Sequence, residues 1–216
     1  GVEGASGIID KMKTEILRTD HPIALNHAQD VLNHDGLVAF PTDTVYGMAA
    51  SLDHPQAVEG LFLLKGPGSE NAVALLIGDL EWLPRLVQEV PEPARRLVER
   101  FWPGPLTILL KGSPRLLPSL RPHGVVGVRM PDHPFALELL RRTGPLAVTA
   151  ANLLGGVRPR SAAEVLKQLD GRLHLVLNGG TVPQGMYSTV VDCSAPGVTI
   201  ARQGPIRDEE IFSILA

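Results

Sequence analysis

The sequence has little of several features that mark other classes of protein. It contains one cysteine, Cys193, so no disulfide can form within the chain, and no group of Cys and His has the spacing of zinc ligands. Its aromatic residues are only five Phe, two Trp and two Tyr, which does not favour a base-stacking platform for single-stranded nucleic acid. These absences argue against disulfide scaffolds, zinc proteins and stacking-based nucleic-acid binders.

Long hydrophobic runs are also missing. The most apolar stretches are far shorter than the roughly 20 residues that a membrane-spanning helix needs. The start of the chain (GVEGASGIIDKMKTEILRTD) lacks the apolar segment of a secretory signal. We therefore expect a protein with no membrane contact in a reducing, cytoplasmic setting. A processed organellar form would have the same features.

Positive charge is in slight deficit. The chain has 20 Lys and Arg against 23 Asp and Glu, which gives a net charge of −3 and a pI near 6.2. This balance argues against a surface built throughout for polyanions, although a local cationic cleft remains compatible with it. We interpret the basic residues of the predicted helices as solvated faces rather than RNA contacts (Arg95, Arg96, Arg100, Arg141 and Arg142).

Short runs rich in Val, Ile and Leu alternate with helical patterns along all but the first residues. The 216 residues, 44% of them hydrophobic, suit one domain, and residues 1–14 have the small, polar composition of a mobile start. Several strands follow one another without a helix, so the pattern predicts an α/β domain with a mixed sheet flanked by helices. The predicted strands are Leu37–Pro41, Val73–Ile77, Leu106–Leu110, Val126–Arg129, Leu146–Thr149, Leu173–Leu177, Thr189–Asp192 and Val198–Ala201. The predicted helices are Pro22–Gly36, His54–Leu64, Glu92–Phe101, Pro134–Arg142, one after the capping box at Ser161, and Arg207–Leu215.

Polar side chains lie where these elements end. FPTDTVYGMAA (residues 40–50) leaves a strand and carries Thr42, Asp43, Thr44 and Tyr46, either as a polar binding site or as a turn that uses its own residues for its geometry. Arg129 ends another strand and either pairs with Asp132 or faces an anion.

Two further segments carry small residues beside a polar group. Lys65 precedes the glycine-rich stretch GPGSEN, which resembles the loops whose backbone N–H groups approach phosphates. VTAANLLGG (residues 148–156) ends a strand and presents Asn152, and IARQG (residues 200–204) ends one with Arg202. Because ligands of α/β sheets collect at strand ends, we expect these groups to form one site with Thr44 and Arg129.

The order of these motifs resembles the YrdC-like family of threonylcarbamoyl-AMP synthases. PTDTVYG (41–47), FWPGPLT (101–107), VRMPDHP (128–134), AANLLGG (150–156) and STVVD (188–192) carry the resemblance from about Leu37 to Ile206. It implies a single twisted open sheet of the YrdC/RibB type with a concave electropositive cavity. Residues 15–216 would form this domain, without the additional C-terminal domain of longer members.

The resemblance also implies an activity. Members are nucleotidyltransferases that join L-threonine, bicarbonate and ATP into threonylcarbamoyl-adenylate, release pyrophosphate and supply threonylcarbamoyl-adenosine formation in tRNA. Mg²⁺ would come with the nucleotide rather than bind a protein metal site, and tRNA or tRNA-modification proteins would be partners. Some members have also been described as RNA-binding. The implied nucleotide-binding residues are Lys65, Asn152, Ser188 and Arg202; those on the threonine and bicarbonate side are Thr44, Tyr46, Thr107 and Arg129; and the implied catalytic groups are Lys65, Arg129 and Arg202.

The chain departs from the family pattern at several positions. Pro67 stands where the loop usually has arginine, Ala150 where the second motif has serine, and Tyr187 where an acidic residue usually precedes Ser188. Losing one charged and one neutral hydrogen bond would weaken transition-state stabilisation by about 10²–10³-fold without compensation. Candidates for compensation are Arg158, Arg160, Ser69 and Thr149; the alternative interpretation makes both arginines solvated surface charges.

Three functions follow from these observations. The first is a threonylcarbamoyl-AMP synthase with a rearranged nucleotide site, which the threonine-side residues favour. The second is a catalytically weakened paralogue that binds nucleotide or RNA, which the loss of the arginine and serine favours. The third is an enzyme that uses the same cavity for another carbamoyl or adenylyl transfer.

Overall fold

The structure is a computed structural model that describes residues 12–216. The strands in this range are β1 (Glu15–Arg18), β2 (Val38–Pro41), β3 (Tyr46–Ser51), β4 (Ala74–Leu76), β5 (Leu106–Lys111), β6 (Val125–Arg129), β7 (Leu146–Ala150), β8 (Leu175–Asn178), β9 (Thr189–Asp192) and β10 (Thr199–Arg202). The helices are α1 (Ala24–Asn33), α2 (Pro55–Lys65), α3 (Leu83–Leu86), α4 (Glu92–Phe101), α5 (Pro134–Thr143), α6 (Ala162–Leu169) and α7 (Asp208–Leu215).

The strands form one open sheet in the order β1-β8-β2-β3-β7-β4-β6-β5-β9-β10. Pairing is mixed as predicted: β2 runs parallel to β8 and antiparallel to β3, and β5 runs antiparallel to β6 and parallel to β9. Every residue of β2 and β3 is buried, because helices cover both faces there. The predicted α/β class and mixed sheet are confirmed.

The two faces of the sheet carry separate hydrophobic cores. On one face α2, α4, α6 and α7 pack around residues such as Leu61 and Leu97. On the other face α1 and α5 are the helices of the described residues that cover the sheet, over Phe40 and its neighbours in β2, β3, β7 and β8. This second layer leaves β5, β6 and β9 uncovered on its side, and the uncovered surface provides room for a cavity.

Two strands of the structure, β1 and β3, were not predicted from the sequence. β3 consists largely of small residues and was expected to be a turn, yet it is a full strand because it lies antiparallel to both β2 and β7. β1 is an exposed edge strand that pairs only with β8 among the described residues. Strand formation by such weakly patterned segments depends on the neighbouring strands rather than on their own composition.

The chain start was expected to be mobile over residues 1–14, and residues 1–11 of that segment lie outside the described residues. Thr14 is buried. Its Oγ1 donates a hydrogen bond to the Leu173 carbonyl (2.8 Å) and accepts one from the Gly171 N–H (2.8 Å). These contacts bring the chain into register with β8 before β1 begins.

Candidate active site

A cavity of about 670 Å³ lies on the sheet face that α1 and α5 leave partly open. Leu76 and Val148 belong to the smaller core and also line this cavity, which places it directly beside that core. Its volume is within the range of small-molecule sites. Of the residues singled out from sequence, the cavity is lined by Thr42, Thr44, Lys65, Thr107, Arg129, Asn152, Ser188 and Arg202.

Lys65 and Asn152 form the first part of the site. Lys65 is the last residue of α2 and is only 5% exposed. Its Nζ donates to the carbonyls of Ala150 (3.0 Å) and Asn152 (3.1 Å), and to Asn152 Oδ1. Burial lowers the pKa of Lys65 to about 8. The three hydrogen bonds use all three protons of the ammonium group. Lys65 therefore anchors the loop after β7 to the end of α2.

The Asn152 amide extends this anchoring. Its Nδ2 lies 3.2 Å from the carbonyls of Gly156 and Val157, and 3.1 Å from the hydroxyl of Tyr187, to which it can also donate. The side chain is thus held between α2, its own loop and the segment before β9. Asn152 fixes the geometry of the cavity wall as much as it offers groups to a ligand.

Arg129 forms the second part of the site, at the end of β6, and is 5% exposed. Its Nη1 donates to Asp43 Oδ1 (2.6 Å) and to the Gly104 carbonyl (3.2 Å), and its Nη2 donates to the hydroxyls of Thr42 and Thr44 (both 3.1 Å). The partner is therefore Asp43 and not Asp132, the neighbour that the sequence suggested. The pairing was hidden because Asp43 arrives from the β2–β3 turn, 86 residues earlier.

The hydrogen-bond directions of the two hydroxyls beside Arg129 can be assigned. Thr42 Oγ1 donates to the Val45 carbonyl (2.7 Å), and it lies 3.0 Å from Thr44 Oγ1. Because the proton of Thr42 goes to Val45, the hydroxyl proton of Thr44 is the one available to Thr42 or to a ligand. The β2–β3 turn is thus both a turn with internal geometry and a wall of the cavity.

The third part comes from β5, β9 and β10. Thr107 Oγ1 and Ser188 Oγ lie 2.8 Å apart, and Arg202 donates from Nη2 to Ser188 Oγ (3.1 Å) and from Nε to the Ser188 carbonyl (3.0 Å). The β9–β10 register shifts between Ile200 and Arg202, a bulge of the kind that redirects a side chain. Partial burial lowers the pKa of Arg202, and the positive charge of Arg129 acts in the same direction.

A close backbone approach supports this geometry. A Cβ atom at Gly204 would collide with the backbone of Thr189 and Tyr187, so only glycine lets the chain after β10 cross the start of β9 here. The crossing is held by Thr189 Oγ1, which accepts from the Gly204 N–H (3.0 Å) and donates to the Ile206 carbonyl (2.7 Å).

Of the eight residues that the family resemblance implies for the site, Tyr46 is the one that does not line the cavity. It is fully buried in β3, and its hydroxyl donates to the Gly180 carbonyl (2.7 Å) and accepts from the Gly179 N–H (3.0 Å). Burial raises the pKa of this phenol. The geometry gives Tyr46 a structural task, the attachment of the segment after β8 to the sheet.

The residues proposed to replace the missing arginine and serine differ in whether they line the cavity. Arg158 lines the cavity, whereas the Arg160 side chain lies against Gly185 and Ser69 lies in a different groove. Thr149 contributes to the cavity wall, and its buried Oγ1 has no hydrogen-bond partner in the described part of the chain. Tyr187, noted from sequence only as a departure, also lines the cavity, and its ring is close to the guanidinium groups of both Arg158 and Arg202.

The charges around the cavity are unbalanced. Its lining includes Lys65, Arg129, Arg158 and Arg202 and contains no Asp or Glu within residues 12–216. Among the residues that the structure describes, Asp43 alone pairs with one of these cations, Arg129, and compensates part of the charge. In the same range no group of three or more His, Cys, Asp or Glu side chains is placed to hold a metal ion, and no helix is long and apolar enough to cross a membrane.

An open α/β sheet whose strand ends, neighbouring loops and one helix end present a lysine, three arginines, an amide and several hydroxyls to one cavity defines a protein suited to bind an anionic small molecule. Residues 30–204 match the model of the Sua5, YciO and YrdC family, which is described as telomere recombination. The chain belongs to this family, and the resemblance inferred from its motifs is confirmed.

Similar proteins extend over most of the chain. It is 38% identical over 205 residues to the threonylcarbamoyl-AMP synthase of Bacillus subtilis (strain 168), a match that covers 94% of this chain and 59% of that protein. It is 39% identical over 180 residues to a putative threonylcarbamoyl-AMP synthase of Mycobacterium tuberculosis (strain CDC 1551 / Oshkosh), with 83% of each chain covered.

A solved structure of Sua5 from Pyrococcus abyssi, complexed with L-threonine, superposes with a TM-score of 0.87 at 33% identity. The superposition covers 94% of this chain and 60% of that one. The chain therefore spans about three fifths of the length of the Bacillus and Pyrococcus proteins.

Proposed function

We propose that this protein joins L-threonine, bicarbonate and ATP into threonylcarbamoyl-adenylate and releases pyrophosphate. One observation carries the proposal: Lys65, Arg129, Asn152 and Arg202, which are far apart in sequence, line one cavity. The names of the Bacillus and Mycobacterium relatives agree with it. The product would serve threonylcarbamoyl-adenosine formation in tRNA, with tRNA or its modification proteins as partners in the cytoplasm.

The nucleotide side of the cavity is assigned to Lys65, Asn152, Ser188 and Arg202. The threonine amine and bicarbonate first join into a carbamate with loss of water. When an oxygen of this carbamate attacks the α-phosphorus, the bond to pyrophosphate breaks and negative charge moves onto the leaving group. Fixed cationic and N–H groups stabilise that charge without reorganising. Arg202 is suited to this task because its guanidinium is held by Ser188 while its Nη1 has no hydrogen-bond acceptor among the described residues.

The threonine and bicarbonate side is assigned to Thr44, Thr107 and Arg129. Arg129 is held rigidly by Asp43 and two threonine hydroxyls, so an anion that binds it shares existing donors instead of ordering a free side chain. Tyr46 supports this side only indirectly, through the backbone that it holds. The Tyr46 N–H donates to the Pro159 carbonyl, and the Ala151 N–H donates to the Tyr46 carbonyl (both 2.8 Å).

Mg²⁺ would come as an ion carried by the nucleotide phosphates. The lining of the cavity offers amide, hydroxyl and cationic groups, and these do not match the carboxylate ligands that Mg²⁺ prefers. We therefore assign no protein ligand to the ion.

The test is an incubation with threonine, bicarbonate, ATP and Mg²⁺, with pyrophosphate and the adenylate as readouts. We expect pyrophosphate release that requires threonine, with reactions lacking threonine or bicarbonate as controls. ATP binding without threonine-dependent release would instead support the nucleotide-binding paralogue and contradict the proposal.

RNA binding has no separate support in the structure. The basic residues of α4 and α5 are engaged with their neighbours: Arg95 with Glu92 and Glu99, and Arg142 with Glu138. These are exposed pairs within single helices, which is typical of solvated helix faces.

A further inference from the structure

The ring of Tyr187 holds two cations at the cavity. The guanidinium carbon of Arg158 lies 5.5 Å from the ring centroid, and that of Arg202 lies 5.3 Å from it. Both distances are within the range of cation–π attraction. A carboxylate at this position, as the family resemblance implies, would neutralise such arginines by ion pairing, whereas a tyrosine ring orients them and leaves their charge uncompensated.

The hydrogen-bond donors of the other cations are already occupied. The three protons of Lys65 and the four terminal N–H groups of Arg129 have protein acceptors. Arg158, in contrast, donates only one bond to the described part of the chain, from Nη1 to the Gly185 carbonyl at 3.3 Å. No carboxylate within residues 12–216 forms an ion pair with Arg158 or Arg202. These two arginines are therefore the cations best able to donate to an incoming anion.

Arg158 also lies in the loop that neighbours the glycine-rich loop. A Cβ atom on Gly68 would lie 3.4 Å from Leu154 Cδ2, so residues 66–70 run beside the loop that carries Arg158. Pro67, in the first of these loops, stands where the family resemblance implies an arginine. The second loop is anchored by Asn152, whose amide also contacts the Tyr187 hydroxyl at 3.1 Å.

We propose that Arg158 binds the polyphosphate of the nucleotide in place of the arginine absent at Pro67, and that Tyr187 is the positioning residue that directs Arg158 and Arg202 toward it. The inference rests on the proposed function, since it identifies how the same cavity holds its anionic substrate. The ligand chemistry is a di- or triphosphate, which the planar donors of an arginine match better than a lysine does.

The first experiment compares Arg158→Ala with Arg160→Ala in the full chain. Titration calorimetry with Mg²⁺–ATP and with pyrophosphate gives Kd, and steady-state kinetics gives separate KM values for ATP and threonine. We expect Arg158→Ala to weaken both ligands and raise the ATP KM about tenfold, with the threonine KM unchanged. Arg160→Ala removes an equal charge outside the cavity and should match the parent; equal Kd values for the two variants would overturn the proposal.

The second experiment tests positioning and compensation. Tyr187→Phe keeps the ring and should retain most of the ATP affinity, whereas Tyr187→Leu should lose about as much as Arg158→Ala. Adding Pro67→Arg to Arg158→Ala should restore part of the ATP affinity: Pro67 lines the neighbouring groove with Ser69, and its loop runs beside the loop that carries Arg158. Failure of this rescue, together with equal affinities of the Phe and Leu variants, would refute the arrangement.

The two levels of the hypothesis can fail separately. If the parent protein binds ATP but shows no threonine-dependent pyrophosphate release, the proposed function is wrong, while the dependence of ATP and pyrophosphate binding on Arg158 remains measurable. If release occurs and the Arg158→Ala protein keeps the parent Kd and KM for ATP, only the further inference is wrong. Melting temperatures of all variants identify any change caused by unfolding.

Discussion

Removing the carboxylate of Asp43 should destabilise the protein and impair the threonine side together. Arg129 is 5% exposed, and Asp43 is its only ionic partner in the described chain. With charge centres about 4 Å apart and an effective dielectric constant near 20, the attraction is on the order of 4 kcal/mol. Truncating one partner of a buried pair typically costs about 3–5 kcal/mol, because the other charge is left unpaired.

The geometry places the expected loss at the lower end of that range. In Asp43→Ala the guanidinium keeps its bonds to the Gly104 carbonyl and to the hydroxyls of Thr42 and Thr44, so we expect a loss of about 3 kcal/mol in the free energy of unfolding. For a chain of this size that is a fall of roughly 6–12 °C in melting temperature. We also expect a higher KM for threonine with little change in the KM for ATP.

Urea denaturation and thermal melting measure the change in the free energy of unfolding, with Glu138→Ala as the control. Glu138 pairs with Arg142 on an exposed face of α5, so its removal should leave stability almost unchanged. If Asp43→Ala is no less stable than Glu138→Ala, the buried ion pair does not hold Arg129 in place. An unchanged threonine KM would likewise show that this part of the cavity is not the threonine side.

Three other outcomes are expected. Asn152→Ala removes one of the three oxygen acceptors of Lys65 and the three contacts of the amide nitrogen, so the ATP KM should rise about tenfold or more. An unchanged KM would count against the anchoring of the loop. The pKa of Lys65 is about 8 in the free protein, and a bound anion should raise it, so ATP affinity should stay level below pH 8 and fall above it. Calorimetry from pH 7 to 9.5, in buffers of different ionisation heat, tests this and should detect the uptake of a proton by the protein when ATP binds. Leu61→Ala, in the larger core, should destabilise by about 2–5 kcal/mol, and Leu63→Ala, 74% exposed, should not; equal melting points would contradict the assignment of the core face of α2.

Several elements of the fold follow from the sequence alone. β9 and α4 have the predicted bounds, and most other strands and helices differ by one or two residues, because long apolar runs and capping residues act locally. Ser161 accepts from the Glu164 N–H at the start of α6, as the capping box predicts. The family could be recognised for a similar reason, since its motifs are short and contiguous.

The sequence by itself predicted most of the polar residues that line the cavity, because lysine, arginine and asparagine beside glycine and alanine are recognisable one motif at a time. Only the tertiary structure decided their partners: Asp43 rather than Asp132 for Arg129, protein oxygens for Lys65, and a shared tyrosine ring for Arg158 and Arg202. The same holds for β3 and for the burial of Tyr46. Each of these outcomes depends on which strands lie side by side, and strand pairing between distant segments is set by packing of the whole sheet rather than by local composition.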